Sequence, residues 1–361
     1  MKKIYIQQTV VPDYRIPLYR LLRQHYGGEC RVVCGEFDFA STINTVPEAD
    51  EFSLRVVNNY FFGRRLLWQS GALRLLVSAD VVVLNFNLRI ISNLLIVWMR
   101  FLLGRPSVMW GHVDGRSSIT RKFGWLYTIP AGAFLAYTET QASTMKERAP
   151  SLIVNAAANA CFFSKDCFFY DKEDAGRDIV YLGRLVAGKK PMLLLRGYLK
   201  ARKTLKIPNE CKLIFIGDGP EKERLKDFVA EENLDACVEL KGHISEVDRQ
   251  RKIFATALLS VSPGYVGLSV TQSLAFGVPV LVAQNEPHSP EIEACKIGVN
   301  AEYFESDNED DLANVLVRFF DRKEEWILKR EEIAKQTALS YSYEKMAEAI
   351  VKTIDAIENN D

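Results

Sequence analysis

The residues with the clearest chemical potential lie in the second half of the chain, at two glycine-bearing turns that each follow an apolar run. The segment Tyr181-Leu-Gly-Arg-Leu-Val-Ala-Gly-Lys-Lys190 places Arg184 and Lys189 on the two sides of one turn. Two cations that converge on a crevice suit a diphosphate, because each donates charge-assisted hydrogen bonds to its oxygens. We therefore predict an anion site here, with two solvated basic residues on a loop as the alternative.

The second turn lies within Ser262-Pro-Gly-Tyr-Val-Gly-Leu-Ser-Val-Thr-Gln-Ser-Leu-Ala-Phe-Gly-Val-Pro-Val-Leu281. This order of residues predicts the end of a strand, a loop, a helix that begins near Gly267, and a new strand entered through Gly277 and Pro279. The free N–H groups at a helix N-terminus bind anions. The segment therefore predicts a second group of donors for the same diphosphate.

Polar residues follow predicted strands in the first half of the chain as well. His112 comes at the end of the strand in Met109-Trp-Gly-His-Val-Asp-Gly-Arg116. A neutral imidazole there could exchange hydrogen bonds with a ligand hydroxyl or phosphate, or it could be a core histidine satisfied by a backbone carbonyl. In the same way, Tyr14 and Arg15 are expected to open the first helix at the edge of a crevice.

Two further motifs favour structural interpretations. Asp218, in Gly217-Asp-Gly-Pro220, is expected to be a turn or cap residue rather than a catalyst. The acidic run from Asp307 to Asp311 directly precedes an amphipathic segment, so it predicts helix capping rather than a metal site.

Length and composition indicate a protein of two domains. The 361 residues carry no net formal charge, but residues 1–170 hold 19 Lys plus Arg against 12 Asp plus Glu. The basic residues are dispersed and lack a recognition motif with interleaved aromatics, so nucleic acid is not an expected partner. Seven cysteines without metal or redox spacing, and an N-terminus that predicts a strand instead of a signal peptide, favour the cytoplasm.

The most apolar segment runs from Ile90 to Leu103. Arg89, Ser92, Asn93 and Arg100 interrupt it, so it is not expected to span a bilayer. A buried helix of an α/β domain and a helix on a membrane surface are both consistent with the pattern.

Strands and helices alternate along the whole chain, as in a doubly wound α/β fold. We predict a Rossmann-like domain over residues 1–170, a second over 177–340, and a C-terminal helix in 341–361 that crosses back to the first domain. Predicted strands cover 3–9, 30–34, 79–86, 107–110, 133–137, 179–182, 212–216, 237–240, 258–261 and 278–282.

Taken together, these elements resemble the GT-B glycosyltransferases of family 4, a retaining group that uses nucleotide sugars. The resemblance covers nearly the whole chain and is strongest over residues 178–304. It rests on Gly183-Arg-Leu with Lys189, on Gly217-Asp-Gly-Pro220, on the segment from Gly267 to Val280, and on Pro290-Glu-Ile-Glu293 with Gly298. It implies two Rossmann-like domains that face a central cleft.

The chain departs from the family where the family usually has two glutamates separated by seven residues. Gly264 and Gln272 occupy those positions. Gln272 can still hydrogen-bond a ribose through its amide. Gly264 has no side chain to offer, so its backbone or the neighbouring Tyr265 would have to serve. A subgroup that is similar in Pro-Gly-x-x-Gly-Leu and in a segment like His288-Ser-Pro-Glu291 is still associated with transfer.

The resemblance implies roles for particular residues. His112 would be the catalytic residue, orienting the donor sugar or its leaving phosphate. The donor, a UDP-sugar or GDP-sugar, would be bound without a metal or other cofactor by Arg184, Lys189, Gly264, Tyr265, Gly267, Leu268, Ser269, Gln272, Gly217 and His243. The acceptor side would include Tyr14, Arg15, Asp114, Arg116 and Glu291.

The expected acceptor is a saccharide, lipid-linked or part of a polysaccharide intermediate in bacterial surface glycan synthesis. The basic first domain and the Ile90–Leu103 segment suggest contact with an anionic membrane, at the inner face of the cytoplasmic membrane. A GT-B nucleotide-sugar epimerase and a non-catalytic GT-B partner subunit are the alternatives.

Overall fold

A computed structural model describes residues 2–39, 44–55, 59–63, 65–112, 123–168 and 176–358. Contacts divide the chain into two units: unit 1 comprises Met1–Asn159 and Tyr343–Asp361, and unit 2 comprises Ala160–Ser342. The first predicted domain ended at residue 170, whereas residues 160–168 belong to unit 2. They pack there because the Phe168 N–H donates to the Ala275 carbonyl at 2.8 Å.

Unit 1 is built on a parallel sheet. Its strands are β1 (Ile4–Gln7), β2 (Cys30–Cys34), β3 (Ser53–Arg55), β6 (Val81–Phe86), β7 (Ser107–Gly111), β8 (Gly132–Ala136) and β9 (Ile153–Ala156). The strand order is β3-β2-β1-β6-β7-β8-β9. β4 (Asn59–Phe62) and β5 (Leu66–Gln69) form a separate antiparallel hairpin. The described helices are α1 (Ile16–His25), α2 (Leu75–Ser78), α3 (Ile91–Leu102) and α4 (Glu139–Arg148).

Unit 2 has a second parallel sheet. Its strands are β10 (Asp178–Leu182), β11 (Leu213–Ile216), β12 (Val238–Leu240), β13 (Ala257–Ser262), β14 (Val280–Ala283) and β15 (Ala301–Phe304), in the order β12-β11-β10-β13-β14-β15. Its helices are α5 (Pro191–Lys203), α6 (Lys222–Glu231), α7 (Val247–Thr256), α8 (Leu268–Ala275), α9 (Glu309–Asp321) and α10 (Lys323–Tyr341). The predicted doubly wound α/β fold is confirmed in both units.

The last helix, α11 (Tyr343–Glu358), packs on unit 1. The Tyr343 hydroxyl donates to the Tyr14 carbonyl at 2.7 Å, and Asn155 donates through its side chain to the Thr353 hydroxyl at 2.9 Å. These bonds attach the end of the chain to α1 and β9.

The predicted strands are all present, and their ends lie within two residues of the predicted ends. The strands that the sequence did not predict are β3, β4, β5, β9 and β15, which have three or four residues each. The acidic run at 307–311 caps α9, since the Asn308 side chain accepts from the N–H groups of Asp310 and Asp311.

Helix α3 has an unusual distribution of side chains. It buries polar residues, including Ser92, Asn93 and Arg100, while its apolar side chains Trp98 and Leu102 are 47% and 78% exposed. Arg100 is satisfied inside the unit, because its guanidinium donates to backbone carbonyls such as that of Leu75 at 2.7 Å. Since the polar groups are used internally, the outward face is left apolar.

The apolar outward face extends beyond α3. Exposed apolar side chains on α3 and on the neighbouring segment 123–131 are Ile91, Leu95, Trp98, Met99, Phe101, Leu102, Leu103, Phe123, Leu126, Tyr127 and Ile129. Phe101 and Ile129 line one surface cavity of about 270 Å³. Within the described residues, no helix is both long enough and apolar enough to cross a membrane.

Candidate functional site

The candidate site in unit 2 lies where the order of its sheet changes direction. β10 and β13 are neighbours in the sheet although two strands separate them in sequence. In open α/β sheets, ligands bind outside the carboxyl ends of the strands at such a point. The loop from Gly183 to Lys190 follows β10, and the loop from Pro263 to Gly267 follows β13. The sheet therefore brings together the two turns singled out in the sequence.

Tyr265 joins the two cations. The Lys189 ammonium donates to the Tyr265 carbonyl at 2.8 Å and lies 4.0 Å from the centre of the tyrosine ring. Arg184 donates to the Tyr265 hydroxyl at 3.4 Å. The Arg184 carbonyl accepts from the Tyr181 hydroxyl at 2.8 Å, which fixes the backbone of the turn. Both cations are thus held on one side chain at the edge of the sheet.

The surroundings of Lys189 disfavour the charged form of its side chain. Burial, with a smaller contribution from the charge of Arg184, lowers the pKa of Lys189 to about 8, while the Glu291 carboxylate acts in the opposite direction. An ammonium that is poorly solvated and close to another cation gains more from an incoming anion than one in open water. The site therefore favours a ligand with several negative charges.

The position of Gly264 is filled by backbone from the facing loop. A Cβ placed on Gly264 would overlap the Gly188 carbonyl oxygen and would lie 2.9 Å from Lys189 Cα. No larger residue fits in this arrangement. Position 264 therefore cannot carry a carboxylate side chain, because the two loops pack too closely there. The neighbouring Tyr265 is the side chain that contacts the cations.

His288 hydrogen-bonds the loop that follows β13. Its Nδ1 accepts from the Val266 N–H at 3.1 Å, and its Nε2 lies 2.9 Å from the Ala283 carbonyl. Because an amide N–H only donates and a carbonyl only accepts, the ring is neutral with its proton on Nε2. Burial lowers the pKa of His288 from its usual 6.5, which maintains this form. The motif in the sequence includes His288 but does not indicate this role.

Gln272, on α8, is paired with a residue that the sequence did not single out. Its side-chain N–H donates to the amide oxygen of Gln250. The Gln250 side chain is buried, and its own N–H donates to the Ile244 carbonyl at 2.7 Å. The carbonyl fixes the orientation of the Gln250 amide, and Gln250 in turn fixes that of Gln272. The Gln272 amide oxygen is the acceptor that remains.

The turns after β10, β11 and β12 are interlocked through their backbones. The Gly183 N–H donates to the Ile216 carbonyl at 3.0 Å, and the Gly217 N–H donates to the Gly242 carbonyl at 2.8 Å. Gly217 has a φ of +146°, and a Cβ there would overlap the Gly183 carbonyl. His243 follows Gly242 and is exposed. Gly217 therefore supports the position of Arg184 rather than presenting a group of its own.

Two predicted anion donors, the N–H groups of Leu268 and Ser269, lie in the first turn of α8. Gly267 precedes them, and a Cβ on it would lie 3.4 Å from the Lys189 ammonium. Glu291 was predicted on the acceptor side, but it lies in unit 2, buried and electrostatically coupled to Lys189. The structure therefore groups Glu291 with the residues around the two cations.

In unit 1, Arg15 does not present its guanidinium to a ligand as predicted. Its side chain is buried, donates to the Met346 sulfur at 3.3 Å and to Asn159, and lies 5.1 Å from the centre of the Trp110 ring. Its bonds attach α11 to the start of α1, which is a structural role. Tyr14 is half-buried beside it.

The other predicted residues of unit 1 divide into two groups. His112 follows β7 and is exposed, and its ring centre lies 4.7 Å from that of Tyr137. Asp114 and Arg116 lie outside the described residues. Over the part of the chain that the structure describes, no group of three or more His, Cys, Asp or Glu side chains could hold a metal ion.

Residues 164–339 match the family model "Glycosyl transferases group 1". The GtfA subunit of a UDP-N-acetylglucosamine–peptide N-acetylglucosaminyltransferase from Streptococcus parasanguinis is 25% identical over 184 residues, which make up 49% of this chain and 35% of that protein. The chain thus matches only about a third of the length of that relative.

Solved structures resemble the chain over its whole length. HepE from Anabaena in complex with UDP has a TM-score of 0.71 at 13% identity, covering 99% of this chain and 100% of that one. The pneumococcal O-GlcNAc transferase GtfA in complex with UDP and GlcNAc has a TM-score of 0.65 at 10% identity, covering 99% of both chains. At these identities the likeness shows the fold. The chain has the fold of the GT-B glycosyltransferases, and residues 164–339, which lie in its second unit, match the glycosyl transferases group 1 model.

Proposed function

We propose that this protein is a retaining glycosyltransferase that transfers a sugar from a UDP-sugar to a saccharide acceptor. The observation that carries the proposal is the pairing of Arg184 and Lys189, in the loop after β10, with Tyr265, in the loop after β13. The lowered pKa of Lys189 and the match to a glycosyl transferase family model support it. UDP is proposed as the nucleotide because solved structures of similar fold contain it, and GDP is the alternative.

The proposed reaction breaks the bond between the anomeric carbon and the diphosphate oxygen and forms a bond from that carbon to an acceptor oxygen. Arg184, Lys189 and the N–H groups of Leu268 and Ser269 stabilise the negative charge that develops on the leaving diphosphate. The acceptor proton passes to an oxygen of the leaving phosphate, so no separate protein base is required. No metal takes part in this scheme.

Two further residues complete the proposed donor site. The amide oxygen of Gln272 accepts from the ribose hydroxyls, in an orientation fixed by Gln250. His112 orients the sugar or its leaving phosphate, and its exposure after β7 is consistent with contact to a ligand. Retention of anomeric configuration and the role of His112 are parts of the proposal that rest on resemblance.

The test of the donor site is nucleotide binding and turnover in matched arginine variants. Arg184→Ala should abolish transfer and weaken UDP binding by at least about tenfold, since it removes a charge-assisted contact. Arg224→Ala is the control, because Arg224 is an exposed arginine of the same unit that pairs with Glu221. Near-normal transfer by Arg184→Ala would refute the assignment.

The same measurements separate the alternatives. A non-catalytic partner subunit would show no turnover with any nucleotide sugar. An epimerase would convert the donor sugar without an acceptor, whereas a transferase releases free nucleotide in proportion to the acceptor that is glycosylated. Calorimetry with UDP and GDP distinguishes the two nucleotides.

We further propose that the acceptor is lipid-linked and that unit 1 contacts an anionic membrane at the inner face of the cytoplasmic membrane. The apolar outward face of α3 and of segment 123–131 supports this, because aromatic and aliphatic side chains can enter the interfacial region of a bilayer. Besides the buried Arg100, residues 81–138 contain five Lys plus Arg and a single acidic residue, Asp114, so the charge of the segment complements anionic lipid.

Sedimentation with phosphatidylglycerol vesicles tests the membrane contact. Leu102→Glu should reduce the bound fraction strongly, because it places a carboxylate on the apolar face. Leu328→Glu is the matched control, since Leu328 is an exposed leucine on a helix of unit 2, 83% exposed against 78% for Leu102. Equal binding by the two variants, or no binding of the unmodified protein at low salt, would contradict the proposal.

A further inference from the structure

A cluster of side-chain amides occupies the point in unit 1 where the order of its sheet changes direction. β1 and β6 are neighbours in the sheet although four strands separate them in sequence. Gln7 ends β1 and Gln8 follows it, while Asn85 lies near the end of β6. This is the position at which doubly wound sheets bind ligands, and none of the residues predicted from the sequence lies in the cluster.

Three members of the cluster are fully buried and form its base. Gln7 donates to the amide oxygen of Gln69 on β5. The Gln7 amide oxygen accepts from the Asn93 side chain on α3 and from the Asn85 backbone N–H at 3.2 Å. Asn93 also donates to the Asn85 carbonyl at 2.9 Å. The backbone partners fix the orientation of each amide, since N–H groups only donate and carbonyls only accept.

Three members are half-buried and form the outer layer of the cluster: Gln8, Asn59 and Asn85. Gln69 donates to the amide oxygen of Asn59 at 3.0 Å, and Asn59 donates to the Phe37 carbonyl at 2.9 Å. Asn85 donates to the amide oxygen of Gln8 at 3.3 Å. The buried base therefore sets the direction of the outer amides, and Phe37, whose carbonyl accepts from Asn59, is 51% exposed.

Two polar atoms of the cluster are enclosed and have no hydrogen-bond partner among the described residues. They are the amide nitrogen of Gln8, a donor, and the amide oxygen of Asn93, an acceptor. Buried polar groups are rarely left unpaired, so each such atom calls for an explanation. Gln8 belongs to the half-buried part of the cluster, so a ligand hydroxyl beside it can accept from its unpaired nitrogen, whereas Asn93 is fully buried.

We propose that this carboxamide cluster (Gln7, Gln8, Asn59, Gln69, Asn85 and Asn93) is a binding subsite for an uncharged sugar. Amides exchange hydrogen bonds with sugar hydroxyls in both directions and carry no charge with which to attract phosphate. Among the described residues, the hydrogen bonds given above join amides to other amides or to backbone groups, unlike the cationic site of unit 2. If the proposed glycosyltransferase function holds, on which this assignment of role rests, the cluster binds the acceptor saccharide.

The experiment measures binding of methyl glycosides of glucose, galactose and N-acetylglucosamine by saturation-transfer NMR, with UDP titrated by calorimetry in the same samples. Gln8→Met and Asn85→Leu each remove one side-chain amide from the outer layer. Each should weaken glycoside binding about five- to tenfold, the effect expected of one lost hydrogen bond. UDP affinity should stay unchanged, and Gln24→Met, an exposed glutamine on α1, should change neither.

Unaltered glycoside binding in both variants would overturn the proposal, as would the absence of binding of any glycoside to the unmodified protein. Should the variants fold poorly, the side-chain amide resonances of Gln8 and Asn85 in the unmodified protein give the answer, since glycoside binding must shift them. If the unmodified protein does not bind UDP, the proposed function is refuted instead. Failure of the sugar subsite and failure of the proposed function are therefore distinguishable.

Discussion

The pairing of Gln250 and Gln272 gives a prediction that runs against the family pattern. Gln272→Glu would introduce the residue type usual in glycosyltransferases that the chain resembles, yet it should destabilise this protein. The Gln250 amide cannot turn to receive a carboxylate, because its N–H already donates to the Ile244 carbonyl at 2.7 Å. A carboxylate at 272 would therefore face the buried amide oxygen of Gln250.

The magnitude follows from that geometry. The substitution loses one hydrogen bond between neutral groups and leaves a buried acceptor without a partner, a combined cost of about 2 kcal/mol. In a unit of the size of Ala160–Ser342, this corresponds to a melting temperature lower by about 4–8 °C. UDP affinity should fall as well, because the carboxylate turns away from the Gln250 oxygen.

A double-mutant cycle isolates the effect. Gln250→Met removes the facing oxygen, so Gln272→Glu should cost at least about 1 kcal/mol less in that background than in the unmodified protein. Gln336→Glu, at an exposed glutamine on α10, should change stability by no more than about 0.5 kcal/mol. The reasoning fails if thermal melts show the same cost of Gln272→Glu in both backgrounds.

Three other outcomes follow from the same site. Gly264→Ala should cost about 1–3 kcal/mol in a thermal melt because its Cβ overlaps the Gly188 carbonyl, while Gly267→Ala, with its nearest contact at 3.4 Å, should cost less; equal costs would contradict the packing. Burial holds the pKa of His288 below 6.5 in the folded protein, so the unfolded chain binds more protons as pH falls through that value and stability should decline; His288→Gln should show a smaller decline, and an unchanged one would exclude this histidine as the cause. Since the ammonium form of Lys189 binds the diphosphate and its pKa is about 8, calorimetry should show UDP affinity falling above that pH; Lys189→Met should bind at least about tenfold more weakly and lose this pH dependence, and retention of the dependence would assign it to another group.

The sequence predicted the strands and the meeting of two turns because both depend on local patterns. The apolar run from Ile179 to Leu182 is followed directly by Gly183. The run from Leu258 to Val261 is likewise followed, after two further residues, by Gly264. Once two such strands are neighbours in a parallel sheet, their following loops must meet at one edge. Arg184, Lys189 and Tyr265 could therefore be placed together without any structural data.

Partners that depend on side chains from distant elements could not be found in that way. Gln250 lies on a different helix from Gln272, and its polar character alone fits an exposed helix face equally well. Arg15 was predicted at a ligand because it follows the first strand and opens the first helix, but its guanidinium lies against Trp110 and Met346 inside unit 1. The periodicity of apolar residues indicates which positions are buried. It does not indicate which polar groups form hydrogen bonds with each other.

The interlocked turns after β10 and β11 have a consequence for how such proteins can be recombined. The Leu185 N–H in the first turn donates to the Asp218 carbonyl at 2.9 Å, and the Leu185 carbonyl accepts from the Glu221 N–H at 3.0 Å. A Cβ on Gly219 would overlap the Leu185 carbonyl. Neither loop can be exchanged alone without losing its backbone partner. A chimera that takes its donor preference from a relative must therefore inherit residues 183–190 and 216–221 as one block, although more than twenty residues separate them in the chain.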